Sequence, residues 1–98
     1  MNGPEIKSIR MDYGLNQSDM ARLLNVAQSS LCRWEGNPEP QMRPASMKYR
    51  LIVVMKLLAE RLPREERLLV GSMIRLTLLT DGPLRCWHVI LKLYYEEE

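Results

Sequence analysis

Two polar side chains in one short stretch of the sequence can each form a pair of hydrogen bonds with a planar partner that carries neighbouring donors and acceptors. Gln28 carries an amide that both donates and accepts, and Arg33 carries a guanidinium with parallel donors. In the major groove of DNA, such an amide can pair bidentately with adenine, and a guanidinium can do so with guanine. With Ser29 between them, these residues predict base reading, provided that one element holds them outward.

Catalytic and metal-binding chemistry lacks comparable support in the sequence. His88 is the only histidine, and no cluster of carboxylates or cysteines surrounds it in the chain. Cys32 and Cys86 are far apart and form neither a CxxC nor a Cys/His pattern, which argues against zinc and against a disulfide framework. No Ser/His/Asp set, paired-carboxylate set or phosphate-binding loop is present. We therefore expect no enzyme activity, no metal and no cofactor, and a reducing cytoplasm as the compartment.

Length, composition and charge describe one small globular unit. At 98 residues, with 46% hydrophobic and 27% charged residues, the chain is long enough for one modest core. The formal net charge is +2, and the excess lies in residues 1–50, where seven Lys or Arg face five Asp or Glu. The first half is therefore the expected face for a polyanion. No export signal and no apolar run of ~18 residues is present, so no membrane association is expected.

Apolar spacing and helix-breaking residues predict an all-α chain. The predicted helices cover residues 4–13, 17–24, 28–35, 44–62 and 64–79. The last apolar segment, residues 84–95, fits both a helical period and the alternating period of a strand. A helix is preferred there because Pro83 is well placed as its first residue.

The second and third predicted helices have the mechanics of a helix-turn-helix. Two helices that cross steeply need a small residue where they touch, which Ala21 supplies. The sharp turn between them needs a residue that tolerates the left-handed conformation, which Asn25 supplies. Apolar side chains that can pack between the two helices are present at Leu24, Val26, Leu31 and Trp34. These requirements are met in one register.

On these residues, the stretch from about residue 4 to residue 62 resembles the lambda-repressor-like family, the Cro and phage-repressor (XRE-type) helix-turn-helix regulators. The resemblance implies a five-helix lambda-repressor-like fold with a C-terminal apolar dimerisation extension, helical or β-stranded. We assign residues 1–62 to the DNA-binding domain and residues 63–98 to the extension. It places at base edges the residues Ala27, Gln28, Ser29 and Arg33. It places at phosphates the residues Asn16, Gln17, Ser30, Arg43 and Lys48. It also implies a structural pair between Arg10 and Glu35, and support of Gln28 by Gln17.

The sequence departs from the family at Ala27, where Ser or Thr commonly caps the recognition helix. Losing that side-chain cap costs about 1 kcal/mol and removes one hydrogen-bonding group next to the DNA. The departure bears on the detailed base contacts and not on the fold.

The C-terminal segment offers more apolar surface than short elements can bury within a small monomer. An interface between two copies would cover the remainder, and its predicted residues are Leu78, Leu84, Trp87, Leu91 and Tyr94. A dimer also suits DNA reading, because two recognition helices ~34 Å apart read a palindrome. The alternative is that this segment only completes the core of one chain.

Together these features predict a homodimeric transcriptional regulator that binds an inverted-repeat operator in double-stranded DNA and represses its own operon. One alternative is the antitoxin of a toxin–antitoxin pair, whose C-terminal half neutralises a toxin protein; a neighbouring toxin-like gene would favour it. A second alternative is the regulator of a phage or anti-defence operon on a mobile element. A third is a protein-interaction module that uses this fold without DNA, for which Arg33→Ala would leave partner binding intact.

Overall fold

The computed structural model describes residues 1–39 and 46–96, and every regular element in these ranges is an α-helix. The elements are α1 (Gly3–Asp12), α2 (Gln17–Leu24), α3 (Gln28–Glu35), α4 (Met47–Arg61), α5 (Arg64–Thr80) and α6 (Pro83–Glu96). The predicted all-α class is confirmed, and α2 and α3 begin and end at the predicted residues. The predicted start of the fourth helix, at Pro44, lies outside the described residues. None of the described helices has both the length and the apolarity needed to cross a bilayer.

The C-terminal segment, which fits two periods in the sequence, is the helix α6. The residues that it turns toward the core are Cys86, Trp87, Ile90, Leu91 and Tyr94. This spacing of three and four is helical, because a strand would bury His88 between Cys86 and Ile90, and His88 is exposed. The helical alternative is therefore confirmed.

Side-chain caps begin α2 and α4 but not α3. Asn16 begins α2 with a capping box, in which its Oδ1 accepts from the Asp19 amide at 2.7 Å and its own amide donates to the Asp19 carboxylate at 3.4 Å. Ser46 begins α4 by accepting from the Tyr49 amide at 3.1 Å. Ala27 offers no such bond to α3, as the sequence predicts. The position of α3 therefore depends on its packing.

One hydrophobic core joins all six helices. Each helix contributes a fully or almost fully buried side chain, for example Ile6, Leu23, Leu31, Met55, Ile74 and Ile90. Tyr13 ties the end of α1 to α4, because its buried hydroxyl donates to the carbonyl oxygen of Met55. The described residues of the predicted extension, 63–96, pack on the preceding helices and share one core with them.

Helix α5 crosses the end of α1 at Gly71, where the two backbones touch. A Cβ atom at Gly71 would overlap the carbonyl group of Tyr13. One turn further along α5, Arg75 Nη1 donates to the carbonyl oxygen of Gly14 at 2.9 Å. Gly71 therefore fixes which side of α5 faces the core.

We expect Gly71→Ala to lower the free energy of unfolding by about 1 to 3 kcal/mol, because the added methyl group fits only if α5 moves away from α1. Gly36→Ala is the matched control, since a Cβ there lies at an ordinary contact distance, 3.6 Å from the carbonyl oxygen of Cys32. Its backbone is also in the right-handed helical region, which alanine favours. Urea unfolding of both variants measures the difference. Equal effects would contradict the close crossing of α1 and α5.

Candidate nucleic-acid interface

The turn between α2 and α3 has the conformation that the sequence predicts. Asn25 is left-handed, with φ 56° and ψ 50°. The next amide, that of Val26, donates to the carbonyl oxygen of Ala21 at 2.9 Å, and the Val26 side chain packs against the core. Helix α3 therefore leaves α2 through a tight turn and begins at the surface.

Helix α3 has an anchored side and an exposed side. Leu31 has no exposed surface, Glu35 is buried, and Trp34 packs against the core. Four other residues are exposed, and we call them the α3 outer face: Gln28, Ser29, Cys32 and Arg33. The structure thus brings the three polar side chains predicted for base reading to one surface, and Ala27 lies exposed beside them.

The Arg33 guanidinium is held by its own helix. Its Nη2 donates to Oγ of Ser30, one turn earlier, at 3.3 Å. Ser30, a predicted phosphate contact, is half-buried and accepts this bond, while its hydroxyl hydrogen remains a donor. The bond restricts the rotamers of Arg33 before any partner binds.

The N-terminal end of α3 presents uncapped backbone donors. The first amides of a helix lack partners within the helix, and Ala27 supplies no side-chain acceptor to them. Together with the helix dipole, these N–H groups make the start of α3 electropositive. An anionic backbone or a base-edge acceptor is the kind of partner that this end favours.

A buried ion pair fixes the C-terminal end of α3 to α1. Arg10 Nε and Nη2 donate to the two carboxylate oxygens of Glu35 at 2.8 and 3.0 Å. The two side chains are 11% and 4% exposed. Arg10 Nη1 also donates to the carbonyl oxygen of Leu15 at 2.9 Å. The predicted structural pair is thus present, in the bidentate geometry that makes such pairs strong.

Gln17 has a partner that the resemblance does not imply. Its Nε2 donates to Oε1 of Glu35 at 3.1 Å, so the amide supports the Arg10–Glu35 pair. This bond uses one amide hydrogen of Gln17 and does not test the implied support of Gln28, which stays a prediction. The second hydrogen of the Gln17 amide remains for the predicted phosphate contact.

Two of the other predicted phosphate contacts, Asn16 and Lys48, lie at helix starts. Asn16 is exposed, and the capping box occupies its Oδ1 while leaving its Nδ2 as a donor. Lys48 is half-buried in the first turn of α4. Arg43 lies outside the described residues. Asn16 and Lys48 therefore lie at the positive ends of the α2 and α4 dipoles, which suits contacts with phosphates.

The Glu35 carboxyl is held in its charged form. Burial by itself would raise its pKa, but hydrogen bonds from Arg10 and Gln17, together with the charges of Arg10 and Lys7, outweigh burial. The pKa of Glu35 therefore lies below its ordinary value. At neutral pH the carboxylate is charged, and its interactions in the fold stabilise the folded state.

Acid should weaken the fold through this carboxyl. Because the folded pKa lies below the ordinary value of 4.5, the stabilisation is complete above that value and is lost as the pH falls through the folded pKa. We expect the free energy of unfolding in urea to fall between neutral pH and about pH 3, and to fall more steeply in the wild type than in Glu35→Gln. Parallel curves for the two chains would show that the pair does not set the acid response.

Most residues predicted for a dimer interface contact the chain's own core. Four of the five pack in or against its own core: Leu78, Trp87, Leu91 and Tyr94. The Trp87 indole N–H also donates to the carbonyl oxygen of Leu23. Leu78, at 3% exposed, has no surface left for a partner, so its prediction is wrong. Leu84 is the member of the set that is largely exposed, at 78%.

Metal-binding groups are absent from the part of the chain that the structure describes. Within residues 1–39 and 46–96, no group of three or more His, Cys, Asp and Glu side chains is placed to hold a metal ion. His88 is exposed on α6, and the thiols of Cys32 and Cys86 are exposed and buried, respectively.

Comparison of the chain with protein-family models, with curated proteins and with solved structures gives no match. The interpretation of the site therefore depends on its own geometry and chemistry. Three features support it: the exposed side of α3, the amide and guanidinium on that side, and the electropositive start of the helix.

Proposed function

We propose that this chain is a sequence-specific transcriptional regulator of the lambda-repressor-like helix-turn-helix class that binds double-stranded DNA. The observation that carries the proposal is the division of α3, with Leu31 and Glu35 anchored while Gln28 and Arg33 are exposed. A helix of this kind can enter a major groove while its other side stays in the core. The proposed activity is occupancy of DNA rather than catalysis.

The exposed polar side chains of α3 and the preceding Ala27 have suitable partners in the groove. Arg33 offers parallel donors to O6 and N7 of guanine, and Gln28 offers a donor and an acceptor to adenine. Ser29, four residues before Arg33, shares its side of the helix and can contact either base. The exposed methyl group of Ala27 suits the methyl group of thymine.

The buried network keeps this surface free of negative charge. Glu35 is the only acid of α3, and its 4% exposed side chain is neutralised by Arg10 behind the helix. A phosphate backbone that approaches α3 therefore meets no exposed carboxylate from this helix. Asn16 and Lys48 supply contacts that position the protein without reading the sequence.

The proposed biological action is repression by a dimer. A single α3 reaches only a few base pairs, whereas two copies related by a two-fold axis read both halves of an inverted repeat. A dimer bound to such a site in its own promoter would block transcription of its operon by occupying the DNA.

Selection of bound sequences from a random duplex pool tests the proposal. We expect an enriched inverted repeat with half-sites about 10 base pairs apart, centre to centre, and binding that weakens as salt rises. The double variant Gln28→Ala, Arg33→Ala is the control, and it should keep weak, salt-sensitive binding but lose the enriched sequence. Failure of the wild type to retain duplex at low salt, or the same enriched pool with both proteins, would refute the assignment.

A further inference from the structure

Helix α5 exposes an apolar surface that the core does not use. Its outward side carries four large side chains, which we call the α5 outer face: Leu69, Met73, Leu76 and Leu79. Their exposed fractions are 66, 43, 64 and 73%, respectively. Ser72 is exposed in the middle of this stretch, and Leu84, 78% exposed, follows beyond the turn into α6.

No charged side chain interrupts this face. Between Arg67 and Asp81 the sequence has one charged residue, Arg75. Two donors of Arg75 are used within the chain, Nη1 by the carbonyl oxygen of Gly14 at 2.9 Å and Nη2 by Oγ of Ser72 at 3.2 Å. Solvent-facing sides of helices normally carry charged and polar residues. Three turns of exposed Leu and Met are instead typical of a surface that another protein covers.

The chain cannot bury this face by rotating α5. The opposite side of the helix is fixed by the contact of Gly71 with Tyr13, and by Ile74 and Leu78 in the core. Rotation would expose these residues and break the hydrogen bond that Arg75 makes to α1's end. Among the described residues, the α5 outer face therefore stays exposed.

We propose that a second copy of this chain covers the α5 outer face, with the two α5 helices packed antiparallel about a two-fold axis near Ser72. In this register Leu69 of one copy lies beside Leu76 of the other, and the small Ser72 side chain lets the helix axes approach closely. Leu79 and Leu84 enlarge the apolar patch at one end. A stable interface buries ~800 Å² on each partner.

The charges at the two ends of α5 are self-complementary. Glu65 and Glu66 are exposed in its first turn, whereas the arginines on either side of them, Arg64 and Arg67, line a hollow beside α1. At its other end, the two exposed positive charges of Arg22 and Arg85 outnumber the one negative charge of Asp81. Arg22 lies close to α5, because its Nη2 donates to the carbonyl oxygen of Leu78 at 3.2 Å. Antiparallel packing brings the acidic end of each helix toward the basic end of the other, whereas parallel packing brings like charges together. This complementarity favours a second copy over an unrelated partner.

The inference deepens the proposed function, and it rests on that function for its consequence at DNA. Pairing through α5 would relate the two α3 outer faces by a two-fold axis, which is the symmetry of an inverted repeat. The pairing itself is a property of the protein alone, so it can be measured without DNA.

Sedimentation equilibrium of the full chain tests the pairing. We expect the wild type to be a dimer and Leu76→Glu to associate at least about tenfold more weakly, because it puts an unpaired charge in an apolar interface. Leu69→Glu should act in the same way. Tyr95→Glu is the matched control, since Tyr95 is 68% exposed on α6 but lies off the α5 outer face, and it should leave the association unchanged.

Cysteine cross-linking tests the register in a Cys32→Ser background. Ser72→Cys lies near the two-fold axis and should form an intermolecular disulfide on mild oxidation, which requires Cα atoms within about 7 Å. Leu69→Cys should not cross-link to itself, because antiparallel packing separates the two copies of that residue by about 10 Å along the helix. Mixed Leu69→Cys and Leu76→Cys chains should cross-link to each other.

A wild-type chain that stays monomeric overturns the inference, even if a different protein covers the face. A dimer that dissociates in the Tyr95→Glu variant but persists in the Leu76→Glu variant also overturns the inference. These failures are distinct from a failure of DNA reading. A chain that selects a DNA sequence as a monomer supports the proposed function and contradicts this inference. A dimer that Leu76→Glu dissociates, but that selects no DNA sequence, supports this inference and contradicts the proposed function.

Discussion

Alanine in place of Arg33 should weaken binding to the selected DNA site by about 5- to 150-fold, which corresponds to about 1 to 3 kcal/mol. Arg33 carries the exposed guanidinium of α3, and its removal leaves the acceptors of one guanine without partners. The loss should therefore fall on one base-pair position, at which the four bases become nearly equal. Competition titrations with single-base variants of the selected site measure this change.

Lys48→Ala is the matched control for Arg33→Ala. The Lys48 ammonium lies at the start of α4, where we expect it to contact a phosphate. Its loss should weaken all sequences by the same factor and reduce the salt dependence by about one counterion. Gln28→Ala should relax a second position, separate from that of Arg33. Identical behaviour of Arg33→Ala and Lys48→Ala across sequences would contradict the division into reading and positioning residues.

Arg10→Ala should lower the free energy of unfolding by about 3 to 5 kcal/mol, which is a large share of the stability of a small domain. The substitution leaves the Glu35 carboxylate, 4% exposed, without its bidentate partner. Gln17 cannot offset the loss, because it donates one uncharged hydrogen bond to the same carboxylate. Urea-induced unfolding followed by circular dichroism measures the change.

Two further variants separate the ion pair from general effects of removing an arginine. Arg50→Ala replaces an exposed arginine on α4 and should change the stability by no more than about 0.5 kcal/mol. The double variant Arg10→Met, Glu35→Leu should recover part of the loss, because it leaves no unpaired charge in the interior. A loss below about 1 kcal/mol for Arg10→Ala would mean that the pair behaves like one at the surface, contrary to its burial.

The geometry of α2, α3 and the turn between them was predictable because its parts are local in sequence. The bounds of α2 and α3 follow from apolar spacing, and the left-handed turn follows from Asn25. The missing cap of α3 follows from Ala27 in the same way. The exposed side of α3 was predictable too, since Leu31 and Trp34 define the packed side and leave the polar residues outward.

Helix α5 shows what the sequence could not specify. Leu78 and Leu79 are identical neighbours, yet one is 3% and the other 73% exposed. Residues 68–80 are apolar on nearly every side of the helix, so their period does not identify the side that faces the core. Gly71 decides it through its contact with Tyr13, and that contact is tertiary, so no local pattern encodes it. The prediction of Leu78 as a dimer residue was wrong for this reason.

The partner of Gln17 was unpredictable for a related reason. A resemblance assigns positions to residues, but hydrogen bonds depend on which acceptors the fold brings within reach. Here Glu35 accepts from Arg10 at both carboxylate oxygens and has room for one more donor, which Gln17 supplies from α2. Three helices meet at this carboxylate, and only the assembled fold reveals it.

Alkylation of Cys32 tests most directly whether the α3 outer face enters a DNA groove. Cys32 is exposed on that face next to Arg33, whereas Cys86 is buried and serves as an internal control in the same molecule. We predict that a saturating amount of the selected duplex slows alkylation of Cys32, followed by mass spectrometry, by about tenfold or more, and that dissociating salt restores the rate. An unchanged rate for Cys32 in the saturated complex would contradict insertion of α3, because the DNA would then be bound elsewhere.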